Sequence, residues 1–422
     1  MEYRLLRSLY HVMGSHDYMA ELERRKNSHQ TLTFPINIRD HKTETESQAF
    51  LVCDWEMLSL IESIAVHVQA ITEAFIMLPN AAKFYYIRKC LIDEIQTTND
   101  IEGIFSTRME VNETIQSVDD NYAGKKKRFI GMVRKYDLLI KGEHEVPLNT
   151  NADIRALYDD IVKDEIPADR HPDGLLYRKG SVAVVSKTGQ IRHKGVFGED
   201  AIIQAMEHSL SILHNDQIPM LVRIPLFHYF FGYVHPFYDG NGRTNRFISS
   251  YLLYDFSPLI GLSLSRILKE NKSAYYKSFQ ICNDAKNAGD VTPFVLSFLS
   301  FIDSAAESVI TQLNDGLLKL NFYNDGIARI KFSNEDKPNK VKDKKEILWY
   351  FIQNALFFDE GFTLEELMRY SKRSRTTVSK LVHSLIEDNG IPLQISENKP
   401  KIYKIDLDAF DEYLASQVSP DN

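Results

Sequence analysis

Apolar residues recur three and four apart along most of the chain, which is helical spacing. "DWEMLSLIESIAVHVQAITEAFIMLP" (54–79) and "AAKFYYIRKCLIDEIQTTNDIEG" (81–103) predict two helices of one bundle, the second closing on a glycine. From 180 to 197 the pattern changes to "GSVAVVSKTGQIRHKGVF". Its β-branched residues flank a Lys-Thr-Gly-Gln turn, predicting a short hairpin and the only strand pair before residue 390. Helical spacing resumes in "EDAIIQAMEHSLSIL", "MLVRIPLFHYFFGYV" and "RFISSYLLYDF". After Ile302 the apolar density falls, and "FSNEDKPNKVKDKKE" (332–346) is charged and weakly periodic, as a linker would be. Beyond it, "KKEILWYFIQNAL", "TLEELMRYS" and "SRTTVSKLVHSLIEDNG" predict three short helices. The second opens on a Thr363/Glu366 capping box and the third ends at Gly390. "LQISENKPKIYKI" completes the pattern as a two-stranded wing, so the fold class is mainly α with a C-terminal winged helix-turn-helix.

Length and composition narrow this picture. A chain of 422 residues exceeds one ordinary core, and 44% hydrophobic with 26% charged residues is a globular balance. The formal charge of -8 disfavours a protein that coats nucleic acid or anionic membrane as a whole, and confines any nucleic-acid role to one module. Cys53, Cys90 and Cys282 form no CxxC pair, so neither a disulfide framework nor a zinc site is indicated and a reducing, cytoplasmic setting is expected. The N-terminal stretch has polar residues every few positions, and no later apolar run is read as long enough to cross a bilayer.

One loop between two apolar helices concentrates polar chemistry: "HPFYDGNGRTNRF", 235–247. Pro236 disfavours helical backbone at His235, which leaves that imidazole at a helix end, free to face a cavity and take a proton from a hydroxyl. Gly240 and Gly242 tolerate positive φ, and with Asn241 between them their N–H groups can form an anion nest that opens into the next helix. Arg243 and Arg246, three apart, can grip further phosphate oxygens from one helix face. Asp239 offers a single hard oxygen, suited to Mg²⁺ held mostly by water and nucleotide phosphates. Base, metal ligand, nest and two arginines describe a phosphate-transfer site, and GxxxxGK[ST] is absent.

This stretch resembles the Fic-family motif HPFx(D/E)GNGRxxR at every specified position. With "SAYYKSFQICNDAKNAGDVTPFVLSFL" and the preceding hairpin, the resemblance extends over roughly 94–302. It implies a helical bundle with a β-hairpin flap, transferring AMP from Mg·ATP to a Ser, Thr or Tyr hydroxyl of a target protein. On this resemblance His235 is the base, Asp239 the Mg²⁺ ligand, and Gly240, Asn241 and Gly242 the α-phosphate hole. Arg243 and Arg246 contact the outer phosphates, and Tyr275, Tyr276 and Asn283 lie near the adenine. A subgroup that phosphorylates its targets has lysine at the position of Gly242, so glycine favours nucleotide transfer. The hairpin between Val182 and Val196 corresponds to the flap that registers a target segment by strand addition, through Val182, Val184, Ile191, Arg192 and His193.

Fic proteins also carry inhibitory helices of pattern [ST]xxxE[GN], and "TNDIEG" (98–103) matches upstream of the core, in a helix over about 90–103. Thr98, Glu102 and Gly103 are then the inhibitory residues. Glu102 would pair with Arg246 where the γ-phosphate belongs. Some relatives with such a glutamate also remove AMP, and this reverse activity stays open.

The implied organisation is a helical region with the inhibitory helix over 1–120, a Fic core over 121–310, a linker over 311–343 and the winged module over 344–422. Arg369, Lys372, Arg373, Arg375 and Lys380 cluster at the third helix of that module, and the wing adds Lys399, Lys401 and Lys404. Arg373, Arg375 and Lys380 are the candidate DNA contacts, against a basic face used for dimer or target contacts. Three functions compete: an autoinhibited protein adenylyltransferase using ATP and Mg²⁺, a DNA-binding regulator whose core senses nucleotide without turnover, and a Mg²⁺-dependent nuclease or phosphodiesterase. The third would need a second metal-ligand cluster, and none is apparent. DNA as a partner and a homodimer are both open; a membrane is not expected.

Overall fold

The computed structural model describes residues 3–119, 128–142, 146–185, 188–332, 336–397 and 399–417. The chain begins with α1 (Leu6–Val12), α2 (Ser15–Lys26), β1 (Thr31–Arg39) and β2 (Glu46–Val52), followed by α3 (Trp55–Met77), α4 (Asn80–Ile101), α5 (Arg108–Asp119), α6 (Ile130–Lys141) and α7 (Asn151–Ile161). The hairpin β3 (Ala183–Val185) and β4 (Ile191–Lys194) precedes α8 (Glu199–Leu213), α9 (Met220–Val234), α10 (Asn241–Phe256), α11 (Pro258–Gly261), α12 (Leu264–Glu270) and α13 (Lys272–Cys282). Then come α14 (Thr292–Arg329), α15 (Pro338–Phe357), α16 (Leu364–Ser371), α17 (Arg375–Glu387), β5 (Leu393–Ile395), β6 (Tyr403–Ile405) and α18 (Leu407–Ser416). Two compact units result: 1–68 with 91–307, and 69–90 with 308–422.

The core of the first unit is built around α9. Its sequence is apolar on every side, so it must be enclosed, and Leu226, Phe227, Tyr229, Phe230 and Phe231 have no exposed surface. Its one buried imidazole, His228, bonds Ser249 Oγ of α10 and the Tyr275 hydroxyl of α13, each at 2.7 Å. Burial holds this imidazole well below its ordinary pKa, so it is a neutral strut joining three helices. Phe294 packs beside it, 4.4 Å from Phe279 and 5.2 Å from Tyr229 between ring centroids.

Several elements depart from the sequence reading. The hairpin β1–β2 is a second strand pair before residue 390, antiparallel from Thr31↔Val52 to Arg39↔Glu46 with a shift of register between Thr33 and Asn37. Phe34, Ile36 and Ile38 point inward in alternation, but Pro35 interrupts the strand signal and "AFLV" in β2 reads equally as helix. The expected linker over 311–343 is instead helical as far as Arg329, with α15 starting at Pro338. Two helices, α3 and α14, are also long and apolar enough to cross a bilayer, correcting the reading that none is. The apolar window of α14 is 56% buried and that of α3 17%.

In the second unit the capping box of α16 forms as its sequence predicts, with Thr363 Oγ1 accepting the Glu366 N–H. Tyr85 packs its ring edge against Phe362 and Tyr370. The buried Lys344 ammonium donates to Asp336 and Asn389 at 2.6 and 2.8 Å. Helices α15, α16 and α17 followed by the hairpin β5–β6 repeat the order expected for three helices and a wing. Helix α18 has no counterpart in the sequence reading.

Removing the Phe294 ring by Phe294→Ala should lower the unfolding free energy of the first unit by about 3–5 kcal/mol, since it opens a cavity beside His228. Urea denaturation followed by near-ultraviolet circular dichroism checks this.

Candidate active site

Helix α9 ends at Val234 because His235, before Pro236, takes left-handed backbone at φ 53° and ψ 62°. That geometry is costly for a side-chain-bearing residue and is held from several directions. The His235 N–H donates to the Phe231 carbonyl at 2.9 Å, and its own carbonyl accepts Arg178 Nε at 2.9 Å. Arg178 has no exposed surface and also donates to Gly180, Val196 and Val234 carbonyls, so one guanidinium fixes both the helix end and the base of the flap.

His235 keeps part of its surface open to the cavity, yet protein surrounds it. Burial first, and then the neighbouring His193 and Arg178, push its pKa down to about 4. The imidazole is therefore neutral at physiological pH, the state a proton acceptor requires.

The loop after it is shaped by packing. Phe237 stacks on Tyr158 of α7 at 3.7 Å, and the Asn241 side chain bridges the Phe237 N–H and carbonyl at 2.9 and 2.7 Å. The Asn241 amide therefore braces the loop. The N–H groups at the start of α10 have no intrahelical partner, as at any helix start. Gly240, at φ 79°, supplies the left-handed step into α10.

Asp239 is exposed, with Oδ1 accepting the Gly240 N–H at 2.6 Å. Among the described residues no group of three or more His, Cys, Asp or Glu side chains could hold a metal. A single carboxylate fits a Mg²⁺ that keeps water and phosphate oxygens as its other ligands.

The two arginines differ. Arg246, 1% exposed, donates from Nε to Thr98 Oγ1 at 2.8 Å and from Nη2 to the Thr98 carbonyl at 3.0 Å and Glu102 Oε1 at 2.7 Å. Arg243, 2% exposed, pairs with Glu165 at 2.7 Å and does not line the cavity. Glu102 follows the last residue of α4, in a turn closed by Gly103 at φ 77°. A carboxylate is unfavourable at a helix C-terminus. Here Lys272 donates to the Ile101 carbonyl at 2.5 Å, and Lys269 to Asp100 at 2.7 Å. The Glu102 side chain keeps 31% of its surface exposed; the protein around it would raise its pKa, but Arg246, with Arg243 behind it, holds it below the ordinary value. A Cβ built on Gly242 would lie 2.0 Å from Glu102 Oε1. The carboxylate thus lies close against the backbone at Gly242, where a side chain would make it move.

One cavity brings together Glu102, His235, Asn241, Gly242, Arg246, Tyr275, Tyr276 and Asn283, with Val184, Arg192 and His193 at its flap side. Tyr275 and Asn283 are engaged inward as well, by His228 and by the Tyr229 hydroxyl, each at 2.7 Å. On the flap, Ile191 and Arg192 are exposed, whereas His193 is buried and donates from Nε2 to the Tyr233 carbonyl at 2.6 Å. Val182 precedes β3, its carbonyl accepting the Gly195 N–H. Strands β3 and β4 pair only with each other among the described residues, so each keeps one open edge. Lys187 of the flap turn lies outside the described residues.

The sequence reading missed Glu165 and Arg178. Both act across the fold, and no local pattern marks them. In the second unit, Arg373 is held by Asp343 and Glu346 at 2.6 and 2.8 Å, and Arg375 lies 3.6 Å from Glu365, while Lys380 is exposed.

Residues 148–253 match the sequence model of the Fic/DOC family. Over 96 residues the chain is 34% identical to the protein adenylyltransferase Fic of Drosophila virilis, covering 22% of this chain and 18% of that protein. The Drosophila melanogaster protein of the same name is 33% identical over 96 residues, with the same coverage. The chain thus spans about a fifth of the length of these relatives. A crystal structure of a Fic family protein from Desulfovibrio desulfuricans aligns with 84% of this chain and 97% of its own at 18% identity and a TM-score of 0.48. Fic-1 of Caenorhabditis elegans aligns with 61% and 74%, at 18% identity and a TM-score of 0.40.

If shielding governs His235, its imidazole should stay neutral on acidification to about pH 5. Nitrogen-15 chemical shifts of the ring across a pH series report this, and a titration near 6.5 would contradict it.

Proposed function

Taking as premise that the chain carries a Fic domain over 148–253, we propose that it is a protein adenylyltransferase held at rest by Glu102. The observation that carries this reading is the Glu102 carboxylate lying on the Gly242 backbone while bonded to Arg246. A carboxylate is a fair stand-in for a phosphate group: it accepts from the same guanidinium and lies against the same helix N-terminus. Nucleotide phosphate and Glu102 therefore compete for one place.

With Glu102 displaced, the N–H groups at the start of α10 receive the α-phosphate of ATP and Arg246 receives an outer phosphate. Arg243, held by Glu165 at 2.7 Å and absent from the cavity wall, is left out of the phosphate contacts. The acceptor hydroxyl, brought in along the flap, gives its proton to neutral His235 as its oxygen attacks the α-phosphorus. The new O–P bond forms as the α–β bond breaks, and pyrophosphate leaves. Mg²⁺ held through Asp239 and the phosphates would offset charge on the leaving group. Tyr275, Tyr276 and Asn283 supply the nearby wall against which the adenine would rest. The lack of a side chain at Gly242 supports AMP transfer over phosphorylation, because the α-phosphate can approach the backbone closely.

Incubating the full chain with α-labelled and γ-labelled ATP separates the two chemistries. The Glu102→Gly protein should retain α-label on protein at least about tenfold faster than wild type, a gain equivalent to about 1.4 kcal/mol, and His235→Ala in that background should abolish it. Equal labelling by wild type and Glu102→Gly would end the inhibitory reading, and retained γ-label would replace AMP transfer with phosphorylation.

A further inference from the structure

The cavity that holds His235 lies beside a groove, and the two share Arg192, Gln280 and Asn283 in their walls. The far wall comes from outside the stretch that matches the family. It consists of Arg7, Tyr10 and Tyr18 from α1 and α2, and of His41 and Lys42 from the turn between β1 and β2. Lys286, just beyond α13, completes it.

Charge along this groove is uneven. Its two carboxylates are both engaged by the protein. Asp40, 8% exposed, accepts the N–H groups of Lys42, Thr43 and Ala285 at 2.7, 3.0 and 2.9 Å. Asp284 accepts the Lys286 N–H at 2.9 Å and pairs with Arg7 at 3.1 Å. The cations have fewer partners. Lys42 and Arg192 are exposed, and among the described residues no carboxylate pairs with either. The Lys286 ammonium lies 4.9 Å over the Tyr10 ring and, among the described residues, meets the His11 Nε2 at 3.4 Å and no carboxylate. A positive groove thus borders the active cavity of a chain whose net charge is -8. Such local reversal of sign attracts and orients an anionic partner.

We propose that this groove docks an acidic segment of the acceptor protein, so that the substrate class is a hydroxyl-bearing residue within a run of aspartates or glutamates. The proposal rests on the transfer reading above. A segment paired along the open edge of β4 projects successive side chains to opposite faces. With the acceptor hydroxyl over His235, carboxylates on neighbouring residues meet Lys42, Arg192 and Lys286, and Tyr10 offers an exposed ring beside them.

The test uses full-length Glu102→Gly protein, α-labelled ATP and three peptides. Each holds one serine, one threonine and one tyrosine, flanked by glutamates, alanines or lysines. The glutamate peptide should be labelled at least about tenfold faster than the lysine peptide, with the difference shrinking as salt is raised to about 0.5 M, where charges beyond a few ångströms are screened. In the Lys42→Glu, Lys286→Glu variant the order of the two charged peptides should invert. Self-labelling without preference among the peptides, including labelling of none, overturns the groove proposal and leaves transfer standing. An absence of label on protein and peptides alike overturns the transfer reading instead, and with it the groove.

Discussion

The arrangement around the cavity depends on where the positive charge of Arg246 is satisfied. The guanidinium is 1% exposed and lies behind the nest, so it needs an anion or carbonyl oxygens at close range. Thr98, in the last turn of α4, supplies two oxygens, and Glu102, just beyond it, the counter-charge. Gly242 leaves room for the carboxylate where it lies, because a Cβ there would force Glu102 to shift. A helix terminus, a glycine and an arginine thus form one unit, and on the proposed reading phosphate enters it by replacing Glu102.

Other contacts hold the parts around this unit in place. Arg178 holds His235 in its left-handed conformation, and the neutral strut of His228 fixes α9 against α10 and α13, so His235 and the start of α10 share one frame. An imidazole kept neutral by its surroundings, as His235 is, would accept a proton without first losing one. The hairpin β3–β4 contributes to the walls of this cavity and of the neighbouring groove, and under the proposed function an acceptor would come in there.

How far the sequence discloses this follows from the distance over which each group acts. The stretch from His235 to Arg246 is readable because base, nest and arginines fall within twelve consecutive residues. Thr98, Glu102 and Gly103 become readable through a short pattern once that motif is recognised. Glu165 meets Arg243 across 78 positions, and Arg178 meets His235 across 57, so neither leaves a local trace. His193 alternates with Arg192 along β4, and only the packing of the hairpin on Tyr233 tells which of the two turns inward. The hairpin β1–β2 escapes notice because Pro35 breaks the first strand's signal, although the Phe34, Ile36, Ile38 alternation is present. In the second unit, the cluster of basic residues in the sequence does not disclose that Arg373 is already held by two carboxylates contributed by α15.

The central claim is that Glu102 and nucleotide phosphate compete for Arg246. Crystal structures of the ATP-bound chain, with Glu102 intact and with Glu102→Gly, test it most directly. The account predicts an outer phosphate on Arg246 and the α-phosphate against the start of α10 only when the carboxylate is gone. Finding the phosphates in the same position in both structures, with Glu102 still bonded to Arg246, would contradict it.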